Sequence, residues 1–266
     1  MSDLEARYGH TAVITGAARG IGAGYARHLA TLGFDLVLTD INADGLEQTA
    51  AALRERTRAS VETVALDMTD REAIPRLTQA TADREIGLAI CNHLRPGDRG
   101  RFVDADLERV HKQIEANIRA YADFAHAYGN LMRTQGRGGL VLMSSLTGVP
   151  GSPFATLYGA SKAFVLALGR AMAYELQSCN VDVLTVVPSS VNTETYQQSE
   201  QQPSKMFPPM EVDDFVTEVF ASLGKRWVVV PGRRNALTAD VLGRVLPHRA
   251  ATTVMGRNME KLLGTR

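Results

Sequence analysis

Cysteine is scarce: only Cys91 and Cys179 occur among 266 residues. Two thiols cannot build a disulfide framework, and they fit a reducing compartment, so a cytoplasmic location is expected. Charge imbalance is missing too. Lys plus Arg and Asp plus Glu number 29 each, and the isoelectric point is near 7.0. That balance leaves no electrostatic footprint for a nucleic acid, and none is expected as a partner. No apolar run approaches the roughly 18 residues that a spanning helix needs. Met1 to His10 is polar and lacks the apolar stretch of a secretory signal, so no signal peptide is expected. Internal repeats and low-complexity tracts are absent, and no metal site is expected.

What remains is alternation. Short apolar runs at Thr11–Thr15, Leu36–Leu38, Val61–Leu66, Leu88–Cys91, Leu140–Met143, Val181–Val187 and Trp227–Val230 read as strands. Helical stretches lie between them. One has Leu107, Val110, Ile114, Ile118, Tyr121, Phe124, Tyr128 and Leu131 at spacings of three and four, which predicts one apolar stripe. Strand–helix alternation predicts an α/β fold: a doubly wound parallel sheet with helices on both faces. The one long irregular segment, Asn192 to Pro209, is rich in Gln, Ser and Pro and reads as a functional or mobile loop.

Thr15-Gly16-Ala17-Ala18-Arg19-Gly20-Ile21-Gly22 follows the first strand and opens a helix. Gly16 permits a tight turn, Gly20 lets backbone approach a pyrophosphate, and Gly22 lets the helix pack near the sheet. Free N–H groups and the helix dipole then favour an anion. The spacing is GxxxGxG, and the alternative is a plain strand-to-helix turn. Asp40 ends the second strand. Its carboxylate would accept from a ribose 2′-hydroxyl and repel a 2′-phosphate, or it is a turn residue before Asn42. Arg19 could instead meet a 2′-phosphate. NAD is the expected cofactor, with NADP as the alternative. Asp67 ends the third strand and either reaches an adenine or caps a helix starting near Asp70.

Tyr158 and Lys162 stand four apart in Tyr158-Gly159-Ala160-Ser161-Lys162, and Ser145 lies thirteen residues upstream. On a helix, such a pair shares a face. A nearby ammonium favours the phenolate, so the phenol pKa is expected to fall from about 10. A phenol so tuned exchanges protons with an alcohol.

Together these residues resemble the short-chain dehydrogenase/reductase family. The likeness rests on the glycine loop at 15–22, Asp40, Leu66-Asp67-Met68, Asn117, Ser144-Ser145, Tyr158-xxx-Lys162 and Pro188 to Thr193. The resemblance implies one Rossmann-type domain with seven parallel strands and an NAD(P)-dependent hydride transfer involving a carbonyl or secondary alcohol. It implies that Tyr158 is the acid/base, that Lys162 tunes it and binds the nicotinamide ribose, and that Ser145 holds the substrate oxygen. Asn117 would hold a water towards Lys162. Gly16, Arg19, Gly20, Ile21, Gly22, Asp40, Asp67, Met68, Asn92, Val191 and Thr193 would complete the cofactor site. A homodimer or homotetramer is implied, through the helices at 107–131 and 154–176. Two departures stand out. Cys91-Asn92-His93-Leu94 replaces the family's Asn-Asn-Ala-Gly, and its bulkier residues bear on the backbone path beside the cofactor ribose. His93 there reads as an ordinary loop histidine rather than a ligand or base. Pro188-Ser189 replaces Pro-Gly, a small change.

Residues 1–232 are expected to form the dinucleotide-binding domain and 233–266 a basic amphipathic extension of it. The extension holds seven Arg/Lys against two Asp/Glu. Leu237, Val241, Leu242, Val245 and Leu246 form one predicted stripe, and Val254, Met255, Met259, Leu262 and Leu263 another. Packing on the same domain or a sister subunit is expected; lying on a membrane is the alternative. The rivals to an enzyme are a non-catalytic dinucleotide sensor or scaffold and a membrane-surface enzyme for lipidic substrates.

Overall fold

The computed structural model describes residues 3–198 and 208–262. Seven strands are all parallel: β1 (Thr11–Thr15), β2 (Asp35–Asp40), β3 (Val61–Ala65), β4 (Ile86–Cys91), β5 (Gly138–Met143), β6 (Val181–Val186) and β7 (Val228–Val229). Their order across the sheet is β3-β2-β1-β4-β5-β6-β7. The chain winds one way from β1 to β3 and the other way from β4, so β1 and β4 form the switch point where such sheets bind ligands.

The helices are α1 (Asp3–Tyr8), α2 (Gly20–Thr31), α3 (Ala43–Arg56), α4 (Ala73–Ala80), α5 (Leu107–Ile114), α6 (Ala120–Gln135), α7 (Thr156–Leu176), α8 (Glu194–Gln197), α9 (Val212–Ser222), α10 (Arg233–Asp240) and α11 (His248–Leu262). Successive strand residues face opposite sides. Ala12 and Ile14 therefore pack with Tyr25, Leu29 and Phe215 on one face, and Val13 with Tyr121, Phe124 and Tyr128 on the other. Burial on both faces explains the unbroken apolar runs of the central strands.

Several expectations change. The stretch from Leu107 to Leu131 is not one regular helix, because Glu115–Arg119 forms a π-helical turn between α5 and α6. Leu107 leaves the stripe and is 68% exposed. Helix α4 starts at Ala73 rather than near Asp70, after an Asx turn in which Asp70 Oδ1 accepts from Glu72 N–H. Residues 199–207 of the predicted irregular segment lie outside the described residues; its flanks are tied by a parallel bridge between Val191 and Met210.

The extension also divides. Ala239, Leu242, Ala251 and Met255 join Leu146, Leu166 and Val187 in a third buried cluster. Thr252 Oγ1 donates to the Pro150 carbonyl at 2.6 Å. Leu237, Val241 and Val245, predicted on the same stripe as Leu242, are instead exposed. A second π-helical turn at Val241–Val245 breaks the 3.6-residue period on which that stripe rested. Leu263 lies outside the described residues. Among the described residues, no helix is long and apolar enough to cross a membrane.

Leu242 and Leu237 therefore differ in weight. Leu242→Ala should destabilise the protein by about 2–5 kcal/mol, the range for a buried leucine. Leu237→Ala should stay within about 0.5 kcal/mol of the parent. Urea unfolding of both variants checks this, and equal effects would contradict the packing.

Candidate active site and dinucleotide cleft

The glycine loop closes on itself at the C-terminal end of β1. Gly16 and Gly20 have φ of +66° and +59°, conformations that side chains rarely adopt. Gly22 serves closeness rather than conformation: a Cβ there would sit 1.9 Å from the Gly16 carbonyl oxygen. The same Cβ would lie 2.8 Å from Asn92 Nδ2, so the helix start packs closely on the ends of β1 and β4 as predicted. Arg19 occupies the N-cap of α2, is exposed, and makes no capping bond; the first turn carries no acidic residue. The first N–H groups of α2 are thereby left for an anion. Ile21 is half-buried and packs against the core below.

Asp40 forms the turn before Asn42 and also reaches the glycine loop. Its Oδ2 accepts from Ala18 N–H at 3.1 Å, and its Oδ1 from Asn42 N–H at 3.0 Å. The carboxylate is fixed beside the loop, and Asn42 is left to cap α3 by accepting from Gly45 N–H. Asp67 is exposed and forms a turn, with Oδ1 accepting from Thr69 N–H. Met68 is buried, and its carbonyl accepts from Arg119 Nη2. Arg119 also donates to the Asp70 carbonyl and pairs with Glu115 and Asp123, so the π turn clamps the 67–70 segment.

Asn92 staples the loop from the β4 side, its Nδ2 donating to the Thr15 and Gly16 carbonyls at 3.2 and 3.0 Å. His93 lies in the loop after β4, as expected, but is buried, 7% exposed. Its Nε2 is 2.9 Å from the Ala116 carbonyl, which can only accept, so Nε2 carries the hydrogen. Nδ1 then accepts from Thr15 Oγ1 at 2.9 Å. Burial, and next the Lys162 charge among the lowering influences, pull the imidazole pKa down to about 4. The ring is neutral. Val191 is buried beyond β6, at its bridge to Met210, and the Thr193 side chain lies against Gly20. Thr193 also caps α8 by accepting from Tyr196 N–H.

Tyr158 and Lys162 lie on the first turns of α7, with Nζ 6.0 Å from the phenol ring centroid. Lys162 is 2% exposed. Its ammonium donates to the Met143 carbonyl at 2.8 Å and to Tyr121 Oη at 3.2 Å, and Tyr121 Oη donates to the His93 carbonyl at 2.9 Å. Burial pulls the Lys162 pKa down to about 8. Ser145 starts the turn after β5, and Thr147 Oγ1 donates to its Oγ at 3.0 Å.

The expected depression of the Tyr158 pKa does not hold. Burial raises it, opposed by hydrogen bonding to Ser145 and Thr147, and no influence of Lys162 is resolved. Asn117 is fully buried. Its carboxamide accepts from Arg95 N–H at 2.9 Å and donates to the Arg95 carbonyl at 2.8 Å, so the side chain clamps the loop after β4. Sequence reasoning missed three contributors: Thr147, Tyr121 and the π turn. Tyr121 could be read only as part of an apolar stripe, and no local pattern marks the others.

A cavity of about 440 Å³ opens beside Tyr158, bounded by the 95–105 loop, α5 and the start of α7. Among the described residues no cluster of His, Cys, Asp and Glu could hold a metal ion.

Comparison with known proteins agrees with this geometry. The short chain dehydrogenase model matches residues 10–204. The chain is 28% identical over 233 residues to a 7beta-hydroxysteroid dehydrogenase of Clostridium sardiniense, covering 86% of this chain and 88% of that protein. A short-chain dehydrogenase from Sphingobium yanoikuyae in complex with NADPH superposes with a TM-score of 0.77 at 29% identity, covering 92% of this chain and 95% of that one. For the fold alone, a structure described for 7beta-hydroxysteroid dehydrogenase stereoselectivity gives a TM-score of 0.90 at 24% identity, covering 96% and 99%.

The buried ammonium should leave a pH signature on stability. Below about pH 8 both folded and unfolded chains hold the Lys162 proton, and the buried charge weakens the fold. Between about 8 and the ordinary value of 10.5 only the unfolded chain holds it, so this group's contribution rises with pH. Lys162→Met removes the dependence. The stability of the parent relative to Lys162→Met should therefore rise between pH 8 and 10, by up to a few kcal/mol. Denaturant midpoints that run parallel with pH would contradict this.

Proposed function

The chain belongs to the short-chain dehydrogenase/reductase family and moves a hydride between a nicotinamide dinucleotide and a carbonyl or secondary alcohol; from that premise we propose that Tyr158 is its acid/base. The observation that carries the assignment is the hydrogen bonding of Ser145 and Thr147 to Tyr158, which itself lines the cavity, with Lys162 Nζ 6.0 Å from the phenol ring centroid. The dinucleotide site fits the residues present. The uncapped start of α2 and Gly20 suit a pyrophosphate, Asp40 a ribose diol, and Asn92, Val191 and Thr193 the nicotinamide half. When bound, the nicotinamide supplies or takes the hydride.

The protein positions the reacting oxygen and handles its proton. Ser145 Oγ holds that oxygen. In reduction Tyr158 Oη gives it a proton; in oxidation Tyr158 takes the proton from the hydroxyl. Burial keeps the phenol protonated at neutral pH, the form that reduction needs. Lys162 is a fixed cation behind it that stabilises a phenolate once formed. The substrate is a bulky secondary alcohol or ketone, supported by the cavity size and by the hydroxysteroid named for the Clostridium relative. Two free cysteines support a cytoplasmic location. Tail residues buried in the third cluster support treating 233–266 as part of one domain, and they weigh against the membrane-surface rival.

Tyr158→Phe should lower turnover at least about 100-fold, the scale for a lost general acid, with dinucleotide binding retained. Steady-state rates with a panel of cyclic ketones, beside calorimetric dinucleotide titration, check this. Near-parental turnover would remove Tyr158 from the mechanism.

Asp40 makes NAD the preferred cofactor, since its fixed carboxylate repels a 2′-phosphate. Asp40→Asn keeps an acceptor and removes the charge. The affinity ratio of NADP to NAD should then rise about tenfold or more. A parent protein that binds NADP more tightly than NAD would transfer the role to Arg19.

Helix α7 exposes Ala160, Ala163, Ala167 and Ala171 along one face, beside half-buried Phe164 and Leu168. A flat, small-residue face invites a second copy, and closed two-fold assembly is the usual outcome. We expect a homodimer or homotetramer. Light scattering at micromolar concentration should report it, and a monomer there would refute it.

A further inference from the structure

Beyond Asp40 the cleft continues to the end of β3. The sheet order sets β3 beside β2, and Leu66 N–H donates to the Asp40 carbonyl at 3.0 Å. A dinucleotide whose ribose meets Asp40 therefore lays its base along residues 67–70.

That segment is a tight turn with two groups left over. Asp70 N–H donates to the Asp67 carbonyl at 3.0 Å, and Thr69 N–H donates to Asp67 Oδ1 at 2.8 Å. Among the described residues, Asp67 Oδ2 accepts from no group and Met68 N–H donates to none. Adjacent residues thus offer one free acceptor and one free donor. Adenine complements such a pair through its amino group and the neighbouring ring nitrogen, whereas hypoxanthine presents the two in reverse.

The turn does not stand alone. Arg119 ends the π turn, and its side chain is 19% exposed. Nη2 donates to the Met68 carbonyl at 3.1 Å and to the Asp70 carbonyl at 3.0 Å. Nη1 donates to Asp123 at 2.6 Å and Nε to Glu115, which also pairs with Arg71 at 3.2 Å. Every nitrogen of the guanidinium is engaged, so the group is fixed in place.

One of these bonds bears directly on Asp67. The Met68 carbonyl and the Thr69 N–H belong to a single planar peptide unit. Arg119 grips its oxygen, and Asp67 Oδ1 accepts from its hydrogen. Rotation of that peptide would carry the carboxylate with it. Arg119 therefore sets the carboxylate through a rigid plane.

We propose that Arg119 is a positioning residue for base recognition: by fixing the Met68–Thr69 peptide it holds Asp67 and the Met68 N–H in register with adenine. The inference rests on reading the cleft as the dinucleotide site. Discrimination by donor–acceptor matching requires groups that cannot move to follow the wrong partner. A turn released from Arg119 could shift to suit the inverted pattern, and the choice of base would be lost.

Binding without turnover tests this. Calorimetry would compare NAD with nicotinamide hypoxanthine dinucleotide, which differs only in the base. The parent protein should bind NAD about tenfold or more tightly. Arg119→Met should bring the two within about twofold. A general loss of structure would weaken both alike and keep their ratio. Arg119→Lys keeps a cation for Glu115 and Asp123 but cannot span two carbonyls as well. It should melt as the parent does and still lose the preference. Asp67→Ala should abolish the preference too, and adding Arg119→Met to it should change the ratio by less than about twofold, because the two residues act in series. Equal binding by the parent, a preference that survives either Arg119 substitution, or a further change of ratio in the double variant would each overturn the proposal. Binding of neither dinucleotide by the parent would overturn the reading of the cleft, and the proposal with it.

Discussion

A lysine ammonium enclosed at the end of β5 organises the surrounding site. Taking such a charge out of water is expensive unless donors find acceptors. Lys162 finds the Met143 carbonyl and Tyr121 Oη, and Tyr121 in turn finds the His93 carbonyl. Each partner fixes an element. Met143 is the last residue of β5, Tyr121 lies in the first turn of α6, and His93 follows β4. The charge is also anchored from its own backbone, since Ser144 Oγ donates to the Lys162 carbonyl at 2.6 Å. The phenol one turn earlier on α7 is carried along with it.

The same network reaches the dinucleotide side. Thr15 Oγ1 accepts from the N–H groups of Asn92 and His93 and donates to the imidazole. Asn92 meanwhile staples the glycine loop. A continuous chain of polar contacts therefore runs from the lysine to the first turn after β1. Both ends lie at the carboxyl edge of the sheet, at the switch between β1 and β4. A hydride donor and a proton donor must meet one substrate carbon and oxygen, and this edge is where the winding brings their holders together.

How much of this was legible in the sequence depended on distance along the chain. The glycine loop, Asp40 and the Tyr158/Lys162 pair are local patterns, and each lies where its spacing put it. The strands were legible because burial on both faces makes them continuously apolar. The π turns were not. One extra residue per turn leaves spacings of three and four intact on either side, yet rotates one flank against the other, so Leu107, Leu237 and Val245 point to solvent from positions that read as core. Thr147 and Tyr121 act through partners that no local pattern ties to them, and nothing around either residue announces it.

His93, where the family resemblance implies a small residue, is the clearest case. A larger side chain at that position should push the backbone off the cofactor cleft. It does not, because the ring turns inward. The backbone still runs close to Gly16, where a Cβ would meet His93 Cα at 2.8 Å, and the imidazole fills the space beside the π turn. There it takes the Ala116 carbonyl and packs with its centroid 4.7 Å from that of Tyr121, the residue that solvates Lys162. A charged imidazole would set a second cation beside the buried ammonium. Burial and that ammonium both hold the ring neutral, and a neutral ring with hydrogen on Nε2 is the one form that satisfies Ala116 and Thr15 together. The histidine and the π turn therefore complete each other: the turn offers a carbonyl, and the ring is the donor that meets it.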